Sequence, residues 1–424
     1  MKRSRYFHIP LLLLALSLLL TACLGPNNQQ TKLDNGANIE INKDIKLPGK
    51  LYLTLNRNLY MLDSSGSLKQ LTKGLDVRDP AISPDGKNIA FEIRHKNYSE
   101  IAIMPAGGGT PKVILSGNGK FVGHDTNGDG TDDYVDTSYA WYAQPIWRDN
   151  THLIFLSDIW KYQYWPNADE GRSFAARSLE LMAFSVDINN PTLQQINAYT
   201  VGDYPNALQP VTYAITGDGG HRDISLRPNH PDQIIFTNYQ YDSSNEHQLI
   251  QICLQYVDGI KNAPPTETYR PGLNGIQRDP SLALTPQQTD MANMLPSFSP
   301  DGNTIAYIKK PNVTNSQAEL RVMPVIDDSL LQTPNEQETT QKALQPYDQS
   351  TLILSGEYVT QPAWTPDGKY ISYISYSDHT FQLSLIEVAK ENGKYSKKGE
   401  PITLIKSTDP KAQINADSRF IWTK

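Results

Sequence analysis

One short unit recurs along the chain and restricts what it can fold into. Its clearest copies are Asp79-Pro80-Ala81-Ile82-Ser83-Pro84-Asp85-Gly86-Lys87-Asn88-Ile89-Ala90-Phe91, Leu295-Pro296-Ser297-Phe298-Ser299-Pro300-Asp301-Gly302-Asn303-Thr304-Ile305-Ala306-Tyr307 and Gln361-Pro362-Ala363-Trp364-Thr365-Pro366-Asp367-Gly368-Lys369-Tyr370-Ile371-Ser372-Tyr373. Each reads as a short strand, a Pro-Asp-Gly turn and a second, alternating strand. Proline presets φ at the first turn position, Asp bonds the local backbone, and Gly accepts positive φ at the exit. Such a turn joins two antiparallel strands.

Weaker copies fill the gaps. They are Gln144-Pro145-Ile146-Trp147-Arg148-Asp149-Asn150 with Leu153-Ile154-Phe155, Arg222-Asp223-Ile224-Ser225-Leu226-Arg227-Pro228-Asn229 with Ile234-Ile235-Phe236, and Gln413-Ile414-Asn415-Ala416-Asp417-Ser418 with Phe420-Ile421-Trp422. In the first of these Asn150 stands in for Gly, since Asn tolerates the left-handed region. A third strand follows most copies, as in Glu100-Ile101-Ala102-Ile103-Met104, and often a fourth, as in Lys112-Val113-Ile114-Leu115. Six units of four strands predict an all-β, six-bladed β-propeller of four-stranded antiparallel blades. The last copy reads as two strands. Residues 51–55, 58–62 and 68–72 would complete its blade, one strand too many, closing the ring by pairing the two ends of the chain.

The motif resembles the propeller repeat of TolB and of prolyl-oligopeptidase-like propeller domains, over residues 48–424. That resemblance implies fold and carries no function by itself. TolB proteins have an α/β domain ahead of their propeller that finds no counterpart here, so their partner does not carry over.

The N-terminus reads as a leader. Lys2, Arg3 and Arg5 precede an apolar run over residues 9–20, too short for a stable membrane span, which ends in Leu20-Thr21-Ala22-Cys23. This is similar to a bacterial lipobox, which implies cleavage after residue 22 and acylation of Cys23. Residues 1–22 are thus a lipoprotein signal peptide and 23–47, polar and poor in apolar residues, a flexible tether. Acyl chains contribute about 0.8 kcal/mol per buried methylene, enough for a stable anchor with no transmembrane helix in the mature chain. Leu24 in place of Asp points to the outer membrane if the organism is Gram-negative. The other cysteine, Cys253, lies in an apolar run and reads as a buried hydrophobe.

Charge excludes one class of function. The formal net charge is −7, the leader removes three cations, and no basic run stands outside it. Binding to nucleic acid, or to an anionic membrane through a charged face, is not expected.

The sharpest local motif spans residues 125–136. Asp125, Asn127, Asp129, Asp133 and Asp136 fall at positions 1, 3, 5, 9 and 12 of an EF-hand-type loop, Gly130 at position 6, and Thr131 offers its carbonyl at position 7. Calcium needs six to eight oxygens on a curled backbone, which makes Ca²⁺ the expected, structural cofactor. The loop resembles extracellular calcium loops such as those of dockerins.

If each blade runs from an inner strand a to an outer strand d, the Pro-Asp-Gly turns mark one face. The calcium loop and the long segments 157–178, 200–221, 238–246 and 271–294 would then gather on the opposite face. Aromatic residues crowd these segments: Trp141, Tyr142, Trp160, Tyr162, Tyr164, Trp165, Tyr239 and Tyr241. They read either as a contact surface for an envelope protein or glycan or as packing of the loops onto the propeller. Enzyme signatures such as Gly-x-Ser-x-Gly, His-Glu-x-x-His and phosphate-binding loops are absent from the sequence. His221 and His230 stand at opposite ends of one strand–turn unit and do not suggest a shared metal. The leading expectation is a lipid-anchored, non-catalytic scaffold. The rival is a polysaccharide lyase or glycosidase with its site in the central channel, for which Arg148, Arg222 and Asp223 are the candidates.

Overall fold

The computed structural model describes residues 28–33, 35–119, 121–124, 128–130, 134–137, 139–159, 162–167, 172–177, 181–191, 211–212, 219–242, 244, 246–259, 280–311, 316–334, 336–391 and 393–424. The leader, Cys23, Asp125, Asn127, Thr131, Asp133 and Trp160 lie outside these residues.

The repeated turn folds as its residues dictate. In all three clear copies the hydroxyl ahead of proline donates to the turn Asp, at 2.7 Å for Ser83–Asp85, 2.5 Å for Ser299–Asp301 and 2.7 Å for Thr365–Asp367. That hydroxyl also accepts the N–H that opens the second strand, from Asn88, Thr304 and Tyr370. The glycines take φ of 70–72°. Around Asn150 the turn is one residue shorter. There Asp149 accepts the N–H groups of Thr151 and His152, and Asn150 is not left-handed, contrary to expectation.

Consecutive strands form antiparallel units. The second unit is Val77–Ile82, Asn88–Arg94, Ser99–Pro105 and Lys112–Ser116. The third is Tyr142–Trp147, His152–Ser157 and Met182–Asp187, and Val211 and Thr212 bond the outer side of Ala183. The fourth is Gly220–Arg227, His230–Tyr241, Gln248–Tyr256 and Leu282–Ala283. The fifth is Met291–Phe298, Thr304–Pro311, Ala318–Pro324 and Thr351–Gly356, joined to the fourth by one parallel bridge, Ile250–Ala292. The sixth is Val359–Trp364, Tyr370–Ser377, Thr380–Glu391 and Lys394–Ser407.

The first unit joins the two ends of the chain. Its inner strand is Ile421–Thr423, paired with Lys50–Leu55, then Asn58–Leu62 and Leu68–Gln70. Arg419-Phe420-Ile421-Trp422-Thr423 therefore occupies the place of Gln361-Pro362-Ala363-Trp364-Thr365, and Pro48-Gly49-Lys50 supplies the rest of the turn motif from the other end. The surplus strand expected from sequence disappears: Ile414 makes only an isolated bridge to Leu55, and after a turn at residues 416–418 the strand Ile421–Thr423 pairs further along the same partner.

Six hydrophobic clusters hold the array, each lying between two consecutive units, the last of them between the sixth unit and the first. Aligned tryptophans stitch the units: the indole N–H of Trp147 donates to Ala81 O, that of Trp364 to Ser297 O, and that of Trp422 to Ser372 Oγ.

Three expectations change. Residues 28–47, read as tether, carry the strands Asn28–Lys32 and Asn38–Asn42, which extend the outer edge of the sixth unit and bury Leu33, Ile39, Ile41 and Leu47. The alternating Ile39 and Ile41 supply this apolar face. An α-helix, Gln337–Asp348, interrupts the fifth unit between its third and fourth strands. Finally, the long segments do not share one face. Segments 188–210, 257–281 and 325–350 connect third to fourth strands, so their ends sit at the rim of the repeated turns. The bonds Ile188 N to Thr151 O, Val257 N to Asp232 O and Val325 N to Asn303 O show this. Segments 117–141, 158–181 and 242–247 connect fourth to first or second to third strands, so their ends sit at the opposite rim. The fourth strand Leu282–Ala283 is too short to be seen in the sequence, and at its place in the third unit residues 211–212 form no regular strand.

Candidate functional site

The inner strands share one backbone device. Asp79, Gln144, Asp223, Leu295 and Gln361 all have positive φ, between 49° and 58°. Each sits at a bulge where the pairing register shifts. Bulges re-aim the chain, and here Asp223, Leu295 and Gln361 come to line one cavity. In four of the five copies this residue stands immediately before a proline (Pro80, Pro145, Pro296, Pro362), whereas Asp223 precedes Ile224, and the signal was not recognised from sequence.

These inner strands line a cavity of about 610 Å³. Its wall is built from prolines (Pro80, Pro145, Pro296, Pro362) with Phe298, Trp364, Phe420 and Trp422. Its floor is polar and belongs to Arg419. The guanidinium crosses from the first unit to donate to Ile224 O at 2.7 Å and Pro145 O at 3.2 Å, in the fourth and third units. It also lies 3.6 Å from the buried Asp79 carboxylate, which accepts the Arg419 N–H at 2.8 Å. Asp79 N–H in turn donates to Ser418 Oγ.

Asp223 completes the floor. Its carboxylate accepts from Thr237 Oγ1 at 2.8 Å, and its N–H donates to Gln144 Oε1 at 2.6 Å. Burial pushes its pKa up, opposed by the Thr237 bond and by Arg419. Of the channel candidates, only Asp223 lines the cavity. Arg222 instead donates to Gly219 O and His221 O and stacks over Tyr239, while Arg148 pairs with Asp258 at 2.7 Å. Sequence reasoning missed Arg419 because residues 413–418, rather than 419–423, were taken as the inner strand.

Toward the rim opposite the turns lies a second charged cluster. Arg78 pairs with Asp76 at 3.0 Å and Asp417 at 3.3 Å, and Arg94 with Glu92 at 3.0 Å. Glu92 is fully buried, and burial together with the Asp79 charge pushes its pKa up to about 7, against the pull of Arg94. A carboxyl with a raised folded-state pKa binds more protons folded than unfolded between about pH 4.5 and 7, so its contribution to stability falls as pH rises through that window. Glu92→Gln is accordingly expected to be relatively more stable, against wild type, at pH 8 than at pH 5. Urea denaturation at the two pH values checks this, and equal differences would contradict it.

The aromatic candidates separate. Tyr142 is core, edge-on to Phe155, and burial raises its phenol to about 12. Tyr239 is mostly covered by Arg222, Trp141 is half-buried with its N–H on Asp158, and Tyr241 is exposed. Tyr162, Tyr164 and Trp165 lie on the strand Tyr162–Asn167, paired with Arg172–Arg177. Of the calcium-type loop, residues 128–130 are described, with Gly128 at φ 77° and Gly130 at φ 85°, the curl such a loop requires. The strands Phe121–His124 and Tyr134–Thr137 pair across its base, putting Asp136 opposite Val122. Among the described residues no group of three or more His, Cys, Asp or Glu could hold a metal, and no helix is long and apolar enough to cross a membrane. Cys253 is buried, and Gln251 Nε2 donates to its Sγ at 3.6 Å.

Antiparallel units with their bulged inner strands around one cavity define a β-propeller class of fold. No family model matches the chain, and no curated protein matches it. Among solved structures it is similar to TolB from Acinetobacter baumannii, at 14% identity and TM-score 0.47 over 90% of this chain and 68% of that one. It is also similar to a chain of a nidogen/laminin complex (10%, TM-score 0.45, 88% and 97%) and to an oligogalacturonate lyase in complex with manganese (10%, TM-score 0.42, 93% and 98%).

Proposed function

We propose that the chain is a six-bladed propeller, anchored in the bacterial cell envelope by acyl chains on Cys23, that acts as a non-catalytic scaffold for a protein partner. The observation that carries this reading is the axial cavity: a proline and aromatic wall above a floor whose charges are spent on one another. Rigid apolar walls fit an apolar peptide segment, and a sugar would need more hydrogen-bonding side chains along the wall. Asp223, the one carboxylate of the earlier candidates in the cavity, is already bonded by Thr237.

A photo-crosslinking residue placed at Pro84 or Pro300, on the cavity's turn-bearing rim, is expected to capture an envelope protein seated at the membrane surface, and one at Asn97 on the other rim is not. Purified protein is expected to leave envelope and plant polysaccharides unchanged. Turnover that Asp223→Asn abolishes would replace the scaffold reading with the lyase or glycosidase one.

Calcium belongs to the same proposal as a structural ion held by Asp125, Asn127, Asp129, Thr131, Asp133 and Asp136. The ion would offset repulsion among the carboxylates and fix the hairpin tip. Chelation is expected to lower the melting temperature of the wild type, and Asp125→Ala with Asp129→Ala to remove that sensitivity. Melting indifferent to chelator in the wild type would sink this part.

A further inference from the structure

The fold starts much closer to the proposed anchor than a 23–47 tether would allow. Asn28 already pairs with Asn42 on the outer edge of the sixth unit. From Cys23 to Asn28 the chain can span at most about 17 Å, at roughly 3.5 Å per residue.

The direction of the strands says which end of the molecule that tether leaves from. Asn38–Asn42 runs antiparallel to Lys394–Ser407, with Ile39 opposite Ser407 and Ile41 opposite Ile405, and Asn42 Nδ2 reaches Thr403 O. Asn28 is therefore at the end nearer Lys394, the rim of the repeated turns. At that rim the hairpin of Thr380–Glu391 and Lys394–Ser407 outgrows its sheet. Tyr370, the first residue of the neighbouring strand, pairs with Glu387, and four more pairs continue beyond it to Glu391–Lys394. Measured from Thr403, beside Asn42, the hairpin end stands about 25 Å out, at roughly 3.3 Å per residue. It reaches farther than the tether.

Charge follows the same geometry. Residues 388–398 hold Lys390, Lys394, Lys397 and Lys398 against Glu391 alone, and residues 43–50, which leave the same edge at the same rim, hold three lysines against Asp44. The two segments carry +5, or +3 with the flanking Glu387 and Glu400, in a chain of net charge −7. The cations cluster where the acyl anchor would hold the protein to a bilayer.

We propose that the hairpin Thr380–Ser407, with residues 43–50 beside it, is a docking surface for an anionic lipid bilayer, so that the turn-bearing rim of the propeller faces the membrane. This rests on acylation of Cys23. It also corrects the expectation, drawn from net charge, that no charged face meets a membrane. A tether shorter than the projection leaves the hairpin end in or on the headgroup layer, within a Debye length of about 10 Å, where each lysine is attracted by anionic lipid.

The test uses the acylated protein in vesicles of phosphatidylcholine with and without phosphatidylglycerol. Single cysteines Ser396→Cys on the hairpin and Asn97→Cys on the opposite rim carry a fluorophore, Cys253 being buried. A headgroup quencher is expected to quench the Ser396 label about threefold more than the Asn97 label on anionic vesicles, and the difference should shrink in high salt. The combined variant Lys394→Glu, Lys397→Glu, Lys398→Glu should lose the lipid and salt dependence while its melting temperature stays close to wild type. Equal quenching of the two labels, in protein whose intact mass shows the acyl group, would overturn the proposal. A mass without acyl groups would instead overturn the anchor reading, and the docking surface that rests on it.

Discussion

Arg419→Ala is expected to destabilise the protein by about 3–5 kcal/mol, the cost of leaving a buried charge without its partner. The guanidinium reaches from the first unit to the second, third and fourth, through Asp79, Pro145 O and Ile224 O. Its removal leaves two carbonyls and the buried Asp79 carboxylate without the guanidinium. Arg419→Lys keeps the charge and loses the planar fork, so an intermediate loss is expected. Urea denaturation of the three proteins measures the series. A loss below about 1 kcal/mol for Arg419→Ala would mean that the floor reorganises around water and that the crossing guanidinium is dispensable.

The second large effect is a pH dependence centred on His221. This ring is buried between Phe236, at 4.4 Å between centroids, and Thr212, whose hydroxyl lies 2.7 Å from Nδ1. Burial, aided by the neighbouring Arg222 charge, pushes its pKa down to about 3 from 6.5. The folded state therefore holds the ring neutral while the unfolded chain protonates it below pH 6.5. Its contribution is complete above pH 6.5 and is lost as pH falls toward 3, at about 1.4 kcal/mol per unit. Between pH 7 and pH 4 the wild type should lose about 3 kcal/mol more than His221→Gln, whatever the other acids contribute to both. Parallel stability curves for the two proteins would rule the assignment out.

How much of this could be read from residues alone depends on how local the cause was. Pro-Asp-Gly acts within four residues, so Asp85, Asp301 and Asp367 were placed correctly as turn formers, and alternation within Ile89–Phe91 or Ile371–Tyr373 gave the adjoining strands. The preceding hydroxyls, Ser83, Ser299 and Thr365, were visible in the same copies but their double bonding was not foreseen. What failed was long-range. The last copy was misread by several residues because its turn is divided between Thr423 and Pro48-Gly49, and no pattern within either segment is complete. Ile39 and Ile41 looked like stray apolar residues in a polar stretch because the sheet they join is made some 365 residues later. The outer strand Leu282–Ala283 is two residues long, below any periodicity, so the insertion ahead of it was assigned to the wrong rim. The floor of the cavity escaped for the same reason: Arg419 acquires its role from carbonyls of residues 145 and 224, which no spacing reports.

The divided turn also sets an order of events. Ile421–Thr423 leaves the ribosome after every other described strand, yet the first unit has no innermost strand without it. Until those last residues arrive, Leu51 and Leu53 have an unfilled neighbour and Asp79 has no guanidinium to face. A chain synthesised N-terminus first would thus hold Lys50–Leu55 without its inner partner until residues 421–423 are available.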